Sequence, residues 1–451
     1  MNKKLNILLL LAILLTIIVV INPYYKIDLL LIITFLLGVG YYFLKDKLIL
    51  IFLLLRPTLD YWRDYNLLEY KNHYLNINSA LAILAIIWSL SIFIKYRTNL
   101  KKINKYLILF FLFCLFSISY SFYPGTTLIE ITKLFSIIAL FSSTFILSYK
   151  NIINEKSLKI SLFTSAIIPI ILGIIQLFTG SGINTFGIHG RIYGTFAHPN
   201  VFAFYILFLF FIFIQDTFYK QKKYWQENSN LKKIIYIFFI ILILATYTRA
   251  AIIGGLIFIT ILGLYYYRKK TILILLSLTI LYLLFFPLNN FLKNNFNYNL
   301  QNNSLISRLT KTDEDSDSWA WRQTLIKENI PIIKEKPLFG YGYGVFAKIW
   351  EYNRGESHYW DDSAEAHNDY LRLVLEIGII GSFSYLLFLF SISKNIWQNI
   401  KFNQKENLYL LAWLISFLAL SFTDNMLHHT AVMWLMWSWF GFELGKYQIK
   451  K

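Results

Sequence analysis

A histidine with a possible role in proton transfer stands at the start of an apolar stretch. His367 and Asn368 are followed, after nine residues, by Gly378 and then by Gly381. A histidine imidazole titrates at about 6.5 in water, so it can take a proton from a hydroxyl group near neutral pH. Asn368 or Asp369 can cap a helix that begins here, and the two glycines, on one helix face, would let another helix approach closely. His367 is therefore a candidate general base, and the alternative is a surface histidine before an ordinary helix.

Two arginines are candidate ligands for an anion. Arg191 lies in a glycine-containing segment that ends at Pro199-Asn200, within a predicted short outer loop. Arg249 lies at the edge of an apolar span and has no acidic residue within four positions. An arginine at that depth is costly and indicates function by default. The alternative for both residues is an interfacial arginine whose head group reaches the water.

The other polar clusters have weaker signals for function. His428 and His429, with Asp424, form a minor site candidate in the last outer loop. The acidic residues 313–317 lack the central glycine and terminal glutamate of a calcium loop, so they predict a solvated loop. The glycine- and tyrosine-rich run 340–344 lacks the Gly-Lys-Ser/Thr ending of a phosphate loop and predicts a turn. The sequence therefore predicts no metal site.

The composition indicates a membrane protein. Of the 451 residues, 57% are hydrophobic and 15% are charged, against roughly 25% charged in soluble domains. Apolar runs of about 16 to 22 residues recur along the chain, and each is long enough to cross ~30 Å of hydrocarbon. The net charge of +18 lies in short clusters between these runs, a topology signal that argues against nucleic acid as a partner.

We predict an all-α integral membrane protein with about 12–14 transmembrane helices. The opening run after Lys4 has no small-residue cleavage site, so it predicts an uncleaved first span. The lone Cys114 excludes an intrachain disulfide. The predicted spans are residues 5–21, 28–44, 47–62, 76–94, 104–121, 128–148, 158–178, 199–216, 234–247, 250–267, 271–289, 368–393, 407–423 and 430–446.

The distribution of basic residues predicts the orientation of these spans. Clusters such as 95–105, 220–233 and 268–270 fall in one set of loops, which the positive-inside rule places in the cytoplasm. Both termini are then cytoplasmic, and the candidate site faces outward. The outer loop 290–366 is far longer than the others and contains a predicted helix near 319–334. Loops longer than about 15 residues are usually functional or disordered.

These residues, in this order and on one predicted side, resemble the O-antigen ligase and O-antigen polymerase superfamily of membrane glycosyltransferases. His367-Asn368 with Gly378 and Gly381 is similar to the outer-loop signature of that family. The resemblance extends to Arg249 before a helix, to Arg322 and the turn Pro337–Gly340 in the long loop, and to the segment from Arg191 to Asn200. It implies three regions: an N-terminal transmembrane bundle (1–233), a catalytic region (234–385) that includes the outer loop 290–366, and C-terminal transmembrane helices (386–451).

The resemblance implies a transferase that uses an undecaprenyl-diphosphate-linked glycan as donor, without a metal or nucleotide cofactor. Arg191 and Arg249 would bind the diphosphate, with Arg322 as a weaker third, because guanidinium groups bind phosphate oxygens bidentately. His367 would take the proton of the acceptor hydroxyl, and the anomeric centre would be inverted. Asn368, Gly378 and Gly381 would form a structural motif.

The identity of the acceptor stays open. We favour a polymerase of a surface polysaccharide, whose acceptor is another lipid-linked glycan. The grounds are the aromatic residues of the long loop and the sequence of residues 368–372. The alternatives are a ligase that acts on lipid A core and a protein O-oligosaccharyltransferase. A flippase and a chain-length regulator would be further partners in the cytoplasmic membrane.

A multi-pass transporter is the alternative from another class. Transporters favour ionisable groups near the bilayer midplane and repeated halves. Here Glu130 and Lys133 are the main pair of this kind, they are expected to satisfy each other, and the sequence shows no repeat.

Overall fold

The protein is almost entirely helical in the parts of the chain that the structure describes. The computed structural model describes residues 38–42, 44–64, 66–70, 73–185, 188–219, 228–277, 318–353, 365–401 and 407–448. The helices are α1 (Ile49–Leu59), α2 (Ile77–Lys95), α3 (Lys105–Phe116), α4 (Pro124–Tyr149), α5 (Glu155–Ser165), α6 (Ile167–Thr179), α7 (Pro199–Ile214), α8 (Ser229–Ala245), α9 (Arg249–Tyr266), α10 (Ser318–Glu335), α11 (Phe346–Asn353), α12 (Asp369–Lys401), α13 (Asn407–Ser421) and α14 (Thr430–Gln448). Two short antiparallel hairpins join β1 (Asn66–Tyr70) to β2 (His73–Asn76) and β3 (Ile183–Thr185) to β4 (Ile188–Arg191). The predicted all-α fold is confirmed.

With one exception, the predicted spans agree with the helices wherever the structure describes them. The spans 5–21 and most of 28–44 lie outside the described residues, as does the second half of 271–289. The helix predicted near 319–334 is α10. One span differs: 158–178 is divided into α5 and α6 at Ala166. Pro169 explains the break, because it has no N–H to continue the hydrogen bonds of α5.

Many helices expose apolar faces instead of polar ones. Among the described residues, six helical segments are long and apolar enough to cross a membrane: α2, α4, the α5–α6 pair, α7, α9 and α12. The large exposed side chains of α2, α8 and α9 include Ile87, Ile237 and Ile253. A soluble helix would turn its polar face outward at these positions. The apolar helices, together with these exposed faces, indicate a multi-pass membrane protein.

Two buried helices form the centre of the bundle. Along α4 and α14 the backbones approach closely, and a Cβ atom added at Gly441 would lie 2.3 Å from the Phe141 carbonyl oxygen. The Ser148 hydroxyl donates to the Phe442 carbonyl at 2.7 Å. Small residues allow such an approach between membrane helices, where packing rather than the hydrophobic effect drives association.

The basic loops meet at one end of the bundle. Three ion pairs join segments that are far apart in sequence, with N–O distances of 2.6 Å for Lys95–Asp46, 2.7 Å for Lys159–Asp216 and 3.4 Å for Lys446–Glu155. The loops around Arg191, His367 and Asp424 meet at the opposite ends of the same helices, as their hydrogen bonds below show. The bundle therefore has a basic end, defined by these three ion pairs, and a second end that carries the candidate site.

Helix α12 is interrupted at Gly378, which has φ 66° and ψ −175°. A Cβ atom at this glycine would lie 2.2 Å from the backbone carbonyl of Leu338, so the position requires glycine. The sequence predicts that another helix approaches Gly378 and Gly381 closely, and this prediction is wrong about which element approaches. The close approach at Gly378 is made by the Leu338–Phe339 backbone, and Gly381 faces the side chain of Ile377 in its own helix.

The interruption of α12 pairs its backbone with the segment before α11. The amides of Tyr341 and Gly342 donate to the carbonyls of Leu375 and Glu376, and the Ile379 amide donates to the Pro337 carbonyl, at 3.1, 2.7 and 2.9 Å. Gly340, Gly342 and Gly344 all have positive φ, so the predicted turn at 340–344 is confirmed. This turn holds residues 337–342 of the long loop against α12.

Candidate active site

His367 lies immediately before α12, where the sequence predicts a helix start. Its backbone has a left-handed φ of 45°, and its side chain is partly exposed. The cap is Asn368, whose Oδ1 accepts hydrogen bonds from the amides of Tyr370 and Leu371 at 2.9 and 3.1 Å. The Asn368 amide donates to Asn425 Oδ1 at 3.1 Å. The cap and this contact together fix the backbone on which the imidazole stands.

The carboxylate of Asp424 connects the groups of the site. Its Oδ1 lies 3.8 Å from His367 Nδ1 and 3.0 Å from His429 Nε2, and its Oδ2 accepts a hydrogen bond from Asn200 Nδ2 at 2.9 Å. Burial alone would raise the pKa of the Asp424 carboxyl, but the two histidines hold it well below its usual range. Asp424 is therefore a buried anion that faces both imidazoles.

Asn200 joins this carboxylate to Arg191. Its Oδ1 accepts hydrogen bonds from the Arg191 guanidinium and from the Thr248 hydroxyl, both at 3.2 Å. Arg191 is completely buried, and its Nε also donates to the Thr246 carbonyl at 2.9 Å. These contacts define a site network, formed by His367, Asp424, Asn200, Arg191 and Thr248, that joins loops from four parts of the chain.

The start of α7 positions Asn200 within this network. His198 caps the helix, since its Nδ1 accepts a hydrogen bond from the Asn200 amide at 3.2 Å, and Pro199 occupies the first turn. Burial and the neighbouring Arg191 lower the pKa of His198 to about 4. The His198 ring is therefore neutral near pH 7 and able to accept this hydrogen bond.

The other two predicted arginines lie on separate elements. Arg249 is the first residue of α9, directly after Thr248 of the site network, and its side chain is partly exposed. Arg322 lies in the first part of α10, which packs against α12. The structure thus brings Arg191 and the start of α9 to His367, and it places Arg322 on an element outside the site network. Diphosphate binding by each of the three arginines stays a prediction.

A second group of charges adjoins the site through His428. The His428 ring lies between two carboxylates, with Nε2 2.8 Å from Glu130 Oε2 and Nδ1 3.2 Å from Glu365 Oε1. Burial and Arg372 lower the pKa of His428, but Glu130 and Glu365 outweigh them and raise it to about 9. Burial raises the pKa of Glu365, and His428 lowers it more, to about 2. We call the pair of His428 and Glu365 the carboxylate latch, because it fixes the residues directly before His367.

Two ion pairs between residues close in sequence lie near this latch. Lys133 Nζ lies 2.6 Å from Glu130 Oε1, as expected from the sequence, although Glu130 also contacts His428. Arg372 Nε donates to Glu376 Oε1 at 2.9 Å, and the second oxygen of Glu130 lies 3.9 Å from the same guanidinium. These pairs reduce the cost of placing charges at the end of the apolar bundle.

Sequence reasoning gave too little weight to three residues of the site. The sequence indicates Asp424 only as a minor candidate beside the two histidines, Asn200 only as the last residue of the segment that begins at Arg191, and Glu365 not at all. The signal for Asp424 was present, since an acid that follows an apolar span and precedes two histidines is unusual. Asn200 and Glu365 carried no comparable signal, because their partners are distant in sequence.

One family model matches part of the chain. Residues 234–386 match the family model described as O-antigen ligase. The matched segment contains Arg249, Arg322 and His367, whereas Arg191 and Asp424 lie on either side of it. No curated protein matches the chain significantly. Residues 234–386 are therefore similar to an O-antigen ligase domain, and this match supports a place for the chain in the O-antigen ligase superfamily.

Proposed function

We propose that the protein transfers or polymerises undecaprenyl-diphosphate-linked glycan units at the outer face of the cytoplasmic membrane, without a metal and with inversion at the anomeric carbon. The observation that carries the proposal is the site network. It brings His367, the only histidine among the described residues of the matched segment, to the buried Asp424 and connects it through Asn200 to Arg191 and the start of α9. A base and a set of guanidinium groups are what this transfer requires.

The proton goes to His367. As the acceptor hydroxyl oxygen forms its bond to the anomeric carbon, its proton passes to the Nε2 atom, since Nδ1 faces Asp424. The Nδ1–Oδ1 distance of 3.8 Å is longer than a hydrogen bond, and such contacts often shorten only when substrate binds. The carboxylate would then hold the proton on Nδ1 and leave Nε2 free to accept the second one.

The leaving group is undecaprenyl diphosphate, which departs with the electron pair of the broken glycosidic bond. Arg249 is the best placed of the three arginines to contact it, because its side chain is partly exposed at the N-terminus of α9. Helix N-termini and guanidinium groups both stabilise phosphate charge. Arg191 is completely buried, so its first contribution is to hold Asn200 and the Thr246 carbonyl in place. Arg322 on α10 is the third proposed contact.

We favour a polymerase that adds glycan to a second lipid-linked glycan. Ligation to lipid A core and transfer to protein are the alternatives, and they differ only in the acceptor. Purified full-length protein in liposomes, supplied with the lipid-linked donor, tests the proposal. A polymerase yields a ladder of lengthened lipid-linked products without a further acceptor, whereas a ligase yields product only when lipid A core is added. Failure to consume the donor with every acceptor class would contradict the proposed function.

The contribution of Arg249 is tested in the same assay. The Arg249→Lys variant is expected to retain part of the activity, because a point charge lacks the bidentate fork, and Arg249→Ala to lose it. Arg268→Ala is the matched control, since Arg268 is an exposed arginine just beyond the other end of α9. If Arg249→Ala transferred glycan as fast as the control, Arg249 would be only an interfacial anchor.

A further inference from the structure

We propose that a cavity at the basic end of the bundle binds a phosphate ester anion, supplied by the head group of an anionic phospholipid. The cavity lies between α3, α4, α12 and α14 and has a volume of about 170 Å³. This volume is smaller than the roughly 300–1,000 Å³ typical of sites for drug-sized ligands, and it suits a small anionic group. It lies at the opposite end of the helices from His367, so it is separate from the site of glycan transfer.

The polar side chains of the cavity fit a phosphate group. Lys102 and Lys105 supply two ammonium groups, and none of the described residues that line the cavity is acidic. The side chains of Asn104, Asn395 and Asn399 add amide N–H donors. Ammonium groups and N–H donors both bind anionic oxygen, and charge-assisted hydrogen bonds of this kind are the stronger ones. The lining therefore favours an anion over a cation or a neutral ligand.

The walls of the cavity are held in place by specific contacts. Asn104 caps α3 by accepting from the Tyr106 amide at 3.0 Å, and its Nδ2 donates to Ser391 Oγ of α12, also at 3.0 Å. The Lys102 ammonium lies 3.8 Å from the centroid of the Tyr149 ring at the end of α4, and it donates to the Tyr149 hydroxyl. The start of α3 is thus joined to α12 and α4 before any ligand binds, so little order is lost on binding.

A lipid fits the cavity better than a soluble phosphate. Its deeper lining is apolar and includes Phe141, Phe145 and Ile392. Farther toward the middle of the bundle, the two helices that carry the polar groups expose Leu112 on α3 and Phe390 on α12, 53% and 67% accessible. Such faces contact acyl chains. Basic pockets between transmembrane helices are recognised sites for anionic lipid head groups, and a free ion would leave the apolar surface unused.

Lipid binding to the purified full-length protein tests the proposal directly. Native mass spectrometry in detergent counts bound lipids while phosphatidylglycerol or phosphatidylcholine is added. The wild-type protein should bind phosphatidylglycerol in preference. The Lys102→Gln/Lys105→Gln variant should bind it roughly 10- to 30-fold more weakly, and Lys105→Gln alone about fivefold. The matched control is Lys156→Gln/Lys394→Gln, which removes two exposed lysines that do not line the cavity and should bind as the wild type does.

The outcomes separate the possible sources of the phosphate. Inorganic phosphate at millimolar concentration should not replace the lipid. If it displaced the lipid and protected the protein against thermal unfolding as well as the lipid does, the lipid would be overturned as the ligand. Equal binding of the two lipids, or equal loss in the cavity variant and the control, would overturn the cavity as an anion site. If the double variant does not fold, the single Lys105→Gln variant decides by the same comparison. Because no glycan is present, the result is independent of the proposed transfer activity.

Discussion

The carboxylate of Asp424 contacts residues from three separate segments of the chain. It faces His367 and His429 and accepts a hydrogen bond from Asn200, while only 2% of the residue is exposed. A buried carboxylate beside an imidazole orients the ring and stabilises its protonated form. Asp424 is therefore a positioning residue, because it acts on the reaction through His367 and has no proposed contact with the substrate.

Asp424→Asn is expected to lower the turnover number by between about 10- and 10⁴-fold, with the KM for the lipid-linked donor changed only a few-fold. The substitution keeps the size of the side chain but removes the charge that faces His367. Steady-state transfer kinetics with purified protein measure both constants. Asp216→Asn is the matched control, since Asp216 is also ion-paired, with Lys159, but at the basic end. A larger effect on KM than on turnover would show that Asp424 supports donor binding instead.

At the scale of the elements, the interruption of α12 holds the long loop against the bundle. Gly378→Ala adds a methyl group 2.2 Å from the Leu338 backbone at a left-handed φ. We expect a loss of roughly 2–5 kcal/mol in the free energy of unfolding. Thermal unfolding of the purified protein and the yield of monodisperse protein measure it. Gly255→Ala on α9 is the control, because its added Cβ meets only Leu207, at 3.3 Å. Equal stability of the two variants would show that the close approach is not maintained.

The carboxylate latch predicts how stability depends on pH. Because the pKa of His428 is raised to about 9, against about 6.5 in an unfolded chain, its contribution is complete below pH 6.5 and is lost as the pH rises through 9. The contribution of Glu365, whose pKa is lowered to about 2, is complete above about 4.5 and is lost as the pH falls through 2. The contribution of the latch to the free energy of unfolding is therefore complete only between about pH 4.5 and 6.5.

His428→Gln is expected to remove the alkaline part of this dependence. The wild-type protein should lose several degrees more of its unfolding temperature between pH 7 and pH 10 than the variant, because only the wild type has a proton to release. Thermal scans in the same detergent at both values of pH measure the difference. His429→Gln serves as the control, since His429 contacts Asp424 and not Glu365. Parallel curves for the wild type and His428→Gln would contradict the latch.

The helices were predictable from the sequence, whereas the contacts between them were not. Apolar runs mark α2, α7 and α9 to within a few residues because each must cross the same thickness of hydrocarbon. The cap at Asn368 was also predictable, since capping depends on residues two or three positions apart. Asn200 and Asp424 are 224 positions apart, and no local pattern indicates which helix ends meet. Gly378 was recognised as a site of close approach, but its partner depends on the packing of the whole chain.

At the scale of the whole molecule, the separation of the two ends makes the orientation testable. The positive-inside rule predicts that the basic end is cytoplasmic and that the candidate site faces outward. The native Cys114 is buried, so it gives little background with a membrane-impermeant thiol reagent. In intact cells we expect labelling of Ser181→Cys, an exposed residue beside the β3–β4 hairpin, and none of Lys156→Cys, exposed at the basic end. The reverse pattern would invert the orientation.

The proposed glycan transfer is tested most directly with the His367→Ala variant, reconstituted with purified lipid-linked donor. General base catalysis supplies about 10²–10⁴-fold in rate, so transfer should fall by about that factor while donor binding is retained. His73→Ala, in the β1–β2 hairpin, is the matched control and should keep wild-type activity. Transfer by His367→Ala within a few-fold of the control would contradict the role of His367 as general base.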